Sequence, residues 1–275
     1  MNRIIQKDSR EAEIERGIDL TITSPPYGDS IDYEKHRSGE IYTDVNSDKR
    51  GDYIKEQSQI FKNILENTVE GGLCCVVIGM SKKEDSTNKV PLPHKFATMM
   101  DDIGWNLHES IVWYKVGGSS TRFGCTIQHP YPGYYYPNQM HEEIQVWVKG
   151  DVINEKVEED KLNIDTFAQK EISNNVWHIP PVPPQKYDEH PCPFPEEIPY
   201  RLIKLYSNSG DFVYDPMTGL GTTPKVAKAL GRDYLGHDIS EEYVRAARKR
   251  LKNEEFNRRP QIVMDFNKTD DNIDL

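Results

Sequence analysis

The sequence predicts an α/β protein built on a mainly parallel sheet. Three observations carry this. Short apolar runs alternate with segments of helical periodicity, no internal repeat of 20 to 50 residues interrupts them, and a glycine-rich turn at 215–223 stands between a strand and a helix. At roughly 150 residues per domain, 275 residues fit one large domain with an insertion as well as two domains. A chain of this size buries about three quarters of its unfolded surface, so its core needs no staples.

Taken in order, Arg3–Gln6 and Ile18–Thr23 read as strands. From Gly51 to Asn67 the apolar residues Ile54, Phe61, Ile64 and Leu65 fall on one helical face. Gly71-Gly72 is expected to end that element, with Leu73–Ile78 as a buried strand. A helix follows at His94–Asp102, then strands at Leu107–Lys115 and Glu143–Lys149. The stretch Asp151–Glu189 differs in kind: nine acidic residues face four lysines, periodicity is weak, and Pro180, Pro181, Pro183 and Pro184 follow. It reads as an insertion with a proline-stiffened connector. Pro195 with Glu196 and Glu197 suits the positive end of a helix. Phe212–Asp215 is a strand, Thr223-Pro224 starts a short helix that Gly231 ends, and a further strand reaches Asp238. Ser240 caps a helix to about Lys252, whose Arg245, Arg248, Lys249 and Arg250 read as a solvated face. The tail beyond Arg259 is polar and acidic.

The net charge of −11 argues against a polybasic nucleic-acid coat, because phosphate neutralisation needs clustered cations. It leaves room for a local basic groove. No apolar run reaches the roughly 18 residues of a membrane span, and the first thirty residues lack a signal-peptide core. Four cysteines, two of them adjacent, make no disulfide framework, and no paired-cysteine or His/Cys ladder suggests zinc. A cytoplasmic protein is expected.

Two segments carry chemistry. In Asp215-Pro216-Met217-Thr218-Gly219-Leu220-Gly221-Thr222-Thr223, the two glycines allow close approach of a ligand to the backbone, and the helix start offers free N–H groups. Asp238, at the end of the next strand, can take ribose hydroxyls. A dinucleotide would want a third small residue where Pro224 stands, and Asp215 would repel a pyrophosphate. Asp215 suits a cationic ligand such as S-adenosylmethionine, which carries an ammonium and a sulfonium. The plainer alternative is a tight turn without a ligand.

The second segment is Thr23-Ser24-Pro25-Pro26-Tyr27, directly after a strand. Its prolines fix the backbone and remove two N–H donors, so the carbonyls of Ser24 and Pro25 can face a cleft. A hydroxyl, a carbonyl and an aromatic face together suit a planar ring bearing an amino group. An ordinary strand-to-loop turn is the alternative.

Ser24-Pro25-Pro26-Tyr27 after a strand is similar to motif IV of amino-group DNA methyltransferases, and Asp215–Thr223 to their cofactor motif I. Lys7-Asp8-Ser9-Arg10 resembles motif III, Gly71–Met80 the motif V–VI region, and Gly104 to Lys115 motif VII. His141 to Lys149 resembles motif VIII, His190–Pro195 motif X and Gly236-His237-Asp238 motif II. The catalytic motif precedes the cofactor motif, the order of the β class, and Ser24 most resembles the cytosine-N4 enzymes. Met217 stands where a Phe is usual, and Asp238 where a Glu is usual.

The resemblance implies a Rossmann-like, S-adenosylmethionine-dependent methyltransferase fold in circularly permuted order with a small inserted recognition region. It implies a catalytic half at 1–150, an insertion and candidate target-recognition region with its linker at 151–189, a cofactor half at 190–259 and an acidic tail at 260–275. It also implies transfer of a methyl group to the N4 amino group of a flipped cytosine in double-stranded DNA. Ser24 and Pro25 would accept the amino hydrogens, Pro26 would shape the loop and Tyr27 would stack on the base. S-adenosyl-L-methionine would lie among Asp8, Thr23, Phe194, Asp215, Pro216, Met217, Gly219, Gly221, Thr222, Asp238 and Ile239. Arg37, Lys49, Arg50 and Arg122 are the expected leading DNA contacts. A cognate restriction endonuclease acting separately is the expected partner, and the chain itself a monomer or weak dimer.

Rival readings are an adenine-N6 methyltransferase, a non-catalytic nucleic-acid-binding relative and a nicotinamide oxidoreductase. The Pro191-Cys192 pair resembles the cytosine-C5 nucleophile in type only, since it does not follow a catalytic strand. His141-Glu142-Glu143 reads as a polar strand start rather than a metal site. Tyr131, Tyr134, Tyr135 and Tyr136 read as a stiffened loop, or as a stacking wall for nucleotides.

Overall fold

The computed structural model describes residues 2–26, 50–82, 88–115, 131–133, 139–154, 156–162, 172–182, 193–253 and 256. Strands β1 (Arg3–Gln6), β2 (Ile18–Thr23), β3 (Thr68–Ile78), β6 (Asn106–Tyr114), β7 (His141–Val148), β8 (Val176–His178), β9 (Phe212–Asp215) and β10 (Asp233–Asp238) form one sheet. Its order is β1-β10-β9-β2-β3-β7-β6-β8. The first five strands in that order run parallel, and β7 opposes its neighbours β3 and β6. Strands β4 (Ser81–Lys82) and β5 (Lys89–Val90) make a separate small ribbon.

Among the described residues, five helices cover the sheet: α1 (Arg50–Asn67), α2 (Leu92–Asp102), α3 (Glu197–Tyr206), α4 (Thr222–Ala229) and α5 (Glu241–Asn253). Strand β3 shows why its sequence is apolar without alternation. Cys75 and Val77 enter the core beneath α3, α4 and α5, whereas Cys74, Val76 and Ile78 enter the one beneath α1 and α2. A strand covered on both faces is apolar along its covered stretch, here Leu73–Ile78. The adjacent thiols therefore point to opposite faces, and burial pushes both of them up, away from reactive thiolate.

Gly71-Gly72 does not end an element, contrary to the sequence expectation. Helix α1 stops at Asn67 and β3 begins at once, carrying both glycines inside it. The reason is a bulge: Ile18 pairs with Thr68 but Leu20 with Leu73, so β3 holds surplus residues there. Gly71 has φ +77°, and a Cβ on it would lie 2.6 Å from Ile153 Cγ1.

The 151–189 stretch also differs from a pure connector. Val176–His178 joins the sheet as edge strand β8, pairing in parallel with Val112–Tyr114. Trp177 is buried there, and its indole N–H is held by the Asn174 carbonyl at 2.8 Å. Among the described residues, no helix is long and apolar enough to cross a membrane.

Candidate active site

Helix α1 carries the chain from β2 to β3, and α4 carries it from β9 to β10 on the other side. Strands β2 and β9 are neighbours, so the direction of winding reverses between them. Ligands of open α/β sheets sit in the crevice beyond the carboxyl ends of the strands at such a reversal. Ser24, Pro25 and Pro26 leave the carboxyl end of β2, and Pro216 leaves that of β9.

An open cleft with about 620 Å3 of space, open solvent included, lies at this edge. Lys7, Asp8, Ser9 and Arg10 line it after β1, Pro216 and Met217 after β9, and Asp238 and Ile239 at the end of β10. Pro26 and three residues of α1, namely Glu56, Gln57 and Ile60, complete the wall. The Pro26 carbonyl accepts from the Tyr53 hydroxyl at 2.7 Å, which fixes the proline loop to α1.

The polar residues of the wall are tightly arranged. Asp8 accepts from Arg10 Nε at 3.0 Å with both oxygens, and this hydrogen bonding holds its carboxyl below the ordinary range. Arg10 also faces Glu56 at 3.7 Å. The buried Asp238 carboxylate accepts from the Gly219 amide at 2.8 Å and from the Ser240 amide at 2.9 Å. Ser9 donates to the Pro216 carbonyl at 2.5 Å, tying the turn after β1 to the glycine-rich loop.

Thus Asp8, Pro216, Met217, Asp238 and Ile239 share the cleft with Pro26. The other expected cofactor residues stand behind it. Asp215 is buried, and desolvation raises its pKa to about 7 against the opposing hydrogen bonds of Thr23, Met217 and Thr223. Thr23 is likewise buried at the end of β2. Gly219 faces the site through its amide to Asp238. Gly221, at φ +72°, turns inward: a Cβ there would stand 3.0 Å from Leu251 Cδ1, 3.1 Å from Ala247 Cβ and 3.2 Å from Ile4 Cδ1. The glycine therefore allows close packing of the loop on α5 and β1. Thr222 turns to Arg250, and Phe194 packs, half-buried, on the core under α3 to α5.

Arg250 corrects another expectation. It is no part of a solvated face: its guanidinium is buried and donates to the Leu220 carbonyl at 3.2 Å, to Thr222 Oγ1 at 3.0 Å and to Glu196. Tyr27, Arg37, Lys49, Arg122, Cys192 and Tyr134–Tyr136 lie outside the described residues, and Arg50 is placed only as the first residue of α1. Glu142 pairs with Lys115 in a largely covered ion pair. Among the described residues, no group of three or more His, Cys, Asp or Glu is arranged to hold a metal ion.

The family model N6_N4_Mtase, a DNA methylase, matches residues 18–249. The chain belongs to the N6/N4 DNA methylase family. The orphan methyltransferase M.BamHII of Bacillus amyloliquefaciens is 29% identical to this methylase over 269 residues, covering 86% of this chain and 89% of its own. Solved structures share the fold, two of them as follows. TTHA0409 of Thermus thermophilus, complexed with S-adenosyl-L-methionine, is 22% identical with a TM-score of 0.69, covering 91% of this chain and 95% of its own. The cytosine-N4-specific PvuII DNA methyltransferase is 18% identical with a TM-score of 0.69, covering 93% and 87%. The methylase therefore has the Rossmann-like methyltransferase fold, with the catalytic segment ahead of the cofactor loop in the chain.

Sequence reasoning missed Glu56, Gln57 and Ile60 of α1. A signal existed for one of them: Gln57 falls between Tyr53 and Ile60, in the middle of a stripe that the structure buries. A polar residue on an apolar stripe is the kind of local conflict that marks a site.

Proposed function

We propose that this methylase transfers a methyl group from S-adenosyl-L-methionine to the N4 amino group of cytosine in duplex DNA. The observation that carries the reading is one of placement. Ser24-Pro25-Pro26 leaves β2 at the winding reversal, and Pro26 lines the same cleft as Asp238.

The cleft fits the cofactor. Asp238, held by two backbone amides, takes the ribose hydroxyls in this reading, while Ile60, Met217 and Ile239 supply apolar faces for a purine. Asp238 supplies a carboxylate in the cleft, with Asp215 buried behind it. When bound, the cofactor supplies an electrophilic methyl group on a sulfonium.

An amino group conjugated to its ring is a poor nucleophile. Ser24 Oγ and the Pro25 carbonyl accept its two hydrogens, which draws the nitrogen towards tetrahedral geometry and frees its lone pair for attack on the methyl carbon; the carbon–sulfur bond breaks, S-adenosyl-L-homocysteine leaves, and the surplus amino proton passes to solvent. No covalent enzyme intermediate is needed, so positioning and electrostatics supply the rate. The base leaves the duplex to reach the site, and Tyr27 stacks on it. Arg37, Lys49, Arg50 and Arg122 contact the DNA, and the enzyme protects sites cut by a separate restriction endonuclease.

The test uses purified protein, duplex DNA carrying many sequence contexts, and methyl-labelled S-adenosyl-L-methionine, with digestion to nucleosides. Labelled N4-methylcytosine is expected. Labelled N6-methyladenine would move the enzyme to the other branch of its family. Ser24→Ala is expected to lower turnover by about 100-fold or more while leaving cofactor affinity within a few fold.

A further inference from the structure

Helix α1 turns one amide into a buried stripe. Tyr53, Ile60 and Ile64 are buried with Gln57, which is only 5% exposed. Gln57 lines the cleft, yet its Oε1 has no hydrogen-bond partner among the described residues. Buried side-chain oxygens are normally satisfied, so one left open at a cleft wall calls for a donor from outside the protein.

Three donors near it are engaged elsewhere, and the Lys7 ammonium, which also lines the cleft, makes no hydrogen bond to Gln57. The Tyr53 hydroxyl goes to the Pro26 carbonyl at 2.7 Å, the Ser9 hydroxyl to the Pro216 carbonyl at 2.5 Å, and Arg10 to Asp8 with Glu56 nearby. Asp8, the acid that the motif resemblance assigns to the cofactor, is thereby held ionised in a pair with its neighbour. Gln57 Oε1 is a neutral acceptor and matches a neutral N–H better than an ammonium. The apolar faces of Ile60 and Ile239 beside it suit a flat ring.

We propose that Gln57 recognises the 6-amino group of the cofactor's purine ring and so selects adenine over purines that lack this group. This rests on the reading that S-adenosyl-L-methionine occupies the cleft. A glutamine amide carries an acceptor and a donor in one plane, and adenine presents a donor and a ring-nitrogen acceptor side by side, so the two can pair through two hydrogen bonds. A ring without the amino group leaves Oε1 buried and unpaired whichever way the amide is turned.

The experiment is calorimetric titration of the DNA-free protein with S-adenosyl-L-homocysteine and with its analogue carrying hydrogen in place of the 6-amino group. The wild type is expected to bind the amino compound about tenfold more tightly or better. Gln57→Leu is expected to bind the two with equal affinity, as is Gln57→Met, which keeps the side-chain length should the first variant fail to fold. A preference for the amino compound that persists in a folded Gln57 variant overturns the proposal, as does a wild type that binds both compounds equally; in each case the cofactor reading stands. A wild type that binds neither compound overturns the cofactor reading, and the assignment of Gln57 falls with it.

Discussion

Arg250 Nη1 donates to Thr222 Oγ1 across 3.0 Å, inside the protein and directly behind the glycine-rich loop. The same guanidinium reaches the Leu220 carbonyl and the Glu196 carboxylate, and Lys225 Nζ joins Glu196 at 3.0 Å. One acid thus ties α5, α4 and the segment after Phe194 into a single support for the loop. Arg250→Met should lower unfolding free energy by about 2–3 kcal/mol, less than for an isolated buried pair because Lys225 still faces Glu196. It should also weaken S-adenosyl-L-homocysteine binding, since the loop loses the donor at Leu220. Urea unfolding and calorimetry check both, and wild-type values in each would show that the network supports nothing.

Gly221 and Gly231 both hold positive φ, +72° and +75°, but differ in their surroundings. A Cβ on Gly221 meets three side chains at 3.0–3.2 Å, whereas one on Gly231 meets nothing within 4 Å. Gly231→Ala should therefore show only the backbone strain, about 1 kcal/mol. Gly221→Ala adds the displacement of α5 from β1 and should cost about 2–4 kcal/mol in all. Equal losses for the two variants, measured by thermal unfolding, would contradict the packing role.

How much was legible in the sequence follows from where each signal resides. Strands β1, β2 and β9 occupy the residues that their short, bounded apolar runs predict. The Ser24 segment and the loop after Asp215 announce themselves because proline, glycine and acids constrain the backbone locally. Other features depend on partners far along the chain. Gly71-Gly72 looks like a stop until β2 imposes its bulge, and Val176–His178 looks irregular until β6 offers an edge. Arg250 resembles its exposed neighbour Arg245 until Glu196, 54 residues earlier, is placed beside it. Long-range pairing decides such residues, and no local pattern encodes it.

Asp215 gives the methylase a pH dependence of defined sign. Burial raises its pKa from 3.8 to about 7 in the folded state. The unfolded chain has already lost that proton by pH 6, so stability falls as pH rises, by about 1.4 kcal/mol between pH 6 and 8. His237 works in the opposite sense but in another window: burial lowers it to about 4, so its contribution is present above 6.5 and is lost as pH falls. Asp215→Asn should flatten the profile between pH 6 and 8, read from urea midpoints at constant ionic strength. A cationic ligand nearby favours the carboxylate, so S-adenosyl-L-methionine should bind more tightly as pH rises through 7, and Asp215→Asn should lose that rise. An unchanged profile in the variant would assign the dependence to another group.

The acid of the 151–189 stretch raises the question of how a chain of charge −11 holds DNA. Asp160 answers for part of it. Its carboxylate accepts from the Ser209 amide at 2.5 Å and from Arg232 at 3.2 Å, and Ile153 packs beside Gly71. Ser209 and Arg232 precede β9 and β10, and Gly71 lies near the start of β3, so these contacts mark the amino edge of the sheet. Ser24 and the cleft stand at the carboxyl edge, across strands 4–11 residues long. The acidic residues at 158–160 therefore face away from any base bound at Ser24, and repulsion from phosphate is weakened by distance and screening. Replacing Glu158 and Glu159 with Gln should leave both DNA affinity and its salt dependence unchanged within error. Arg122→Gln should instead reduce the slope of log affinity against log salt by about one if that residue contacts a phosphate. Asp160→Ala should behave differently from both, destabilising the fold by about 1–3 kcal/mol by leaving Arg232 buried without its carboxylate, with DNA binding unaltered in the folded fraction. Should the Glu158/Glu159 variant bind DNA several-fold more tightly, the acidic segment must approach the duplex after all.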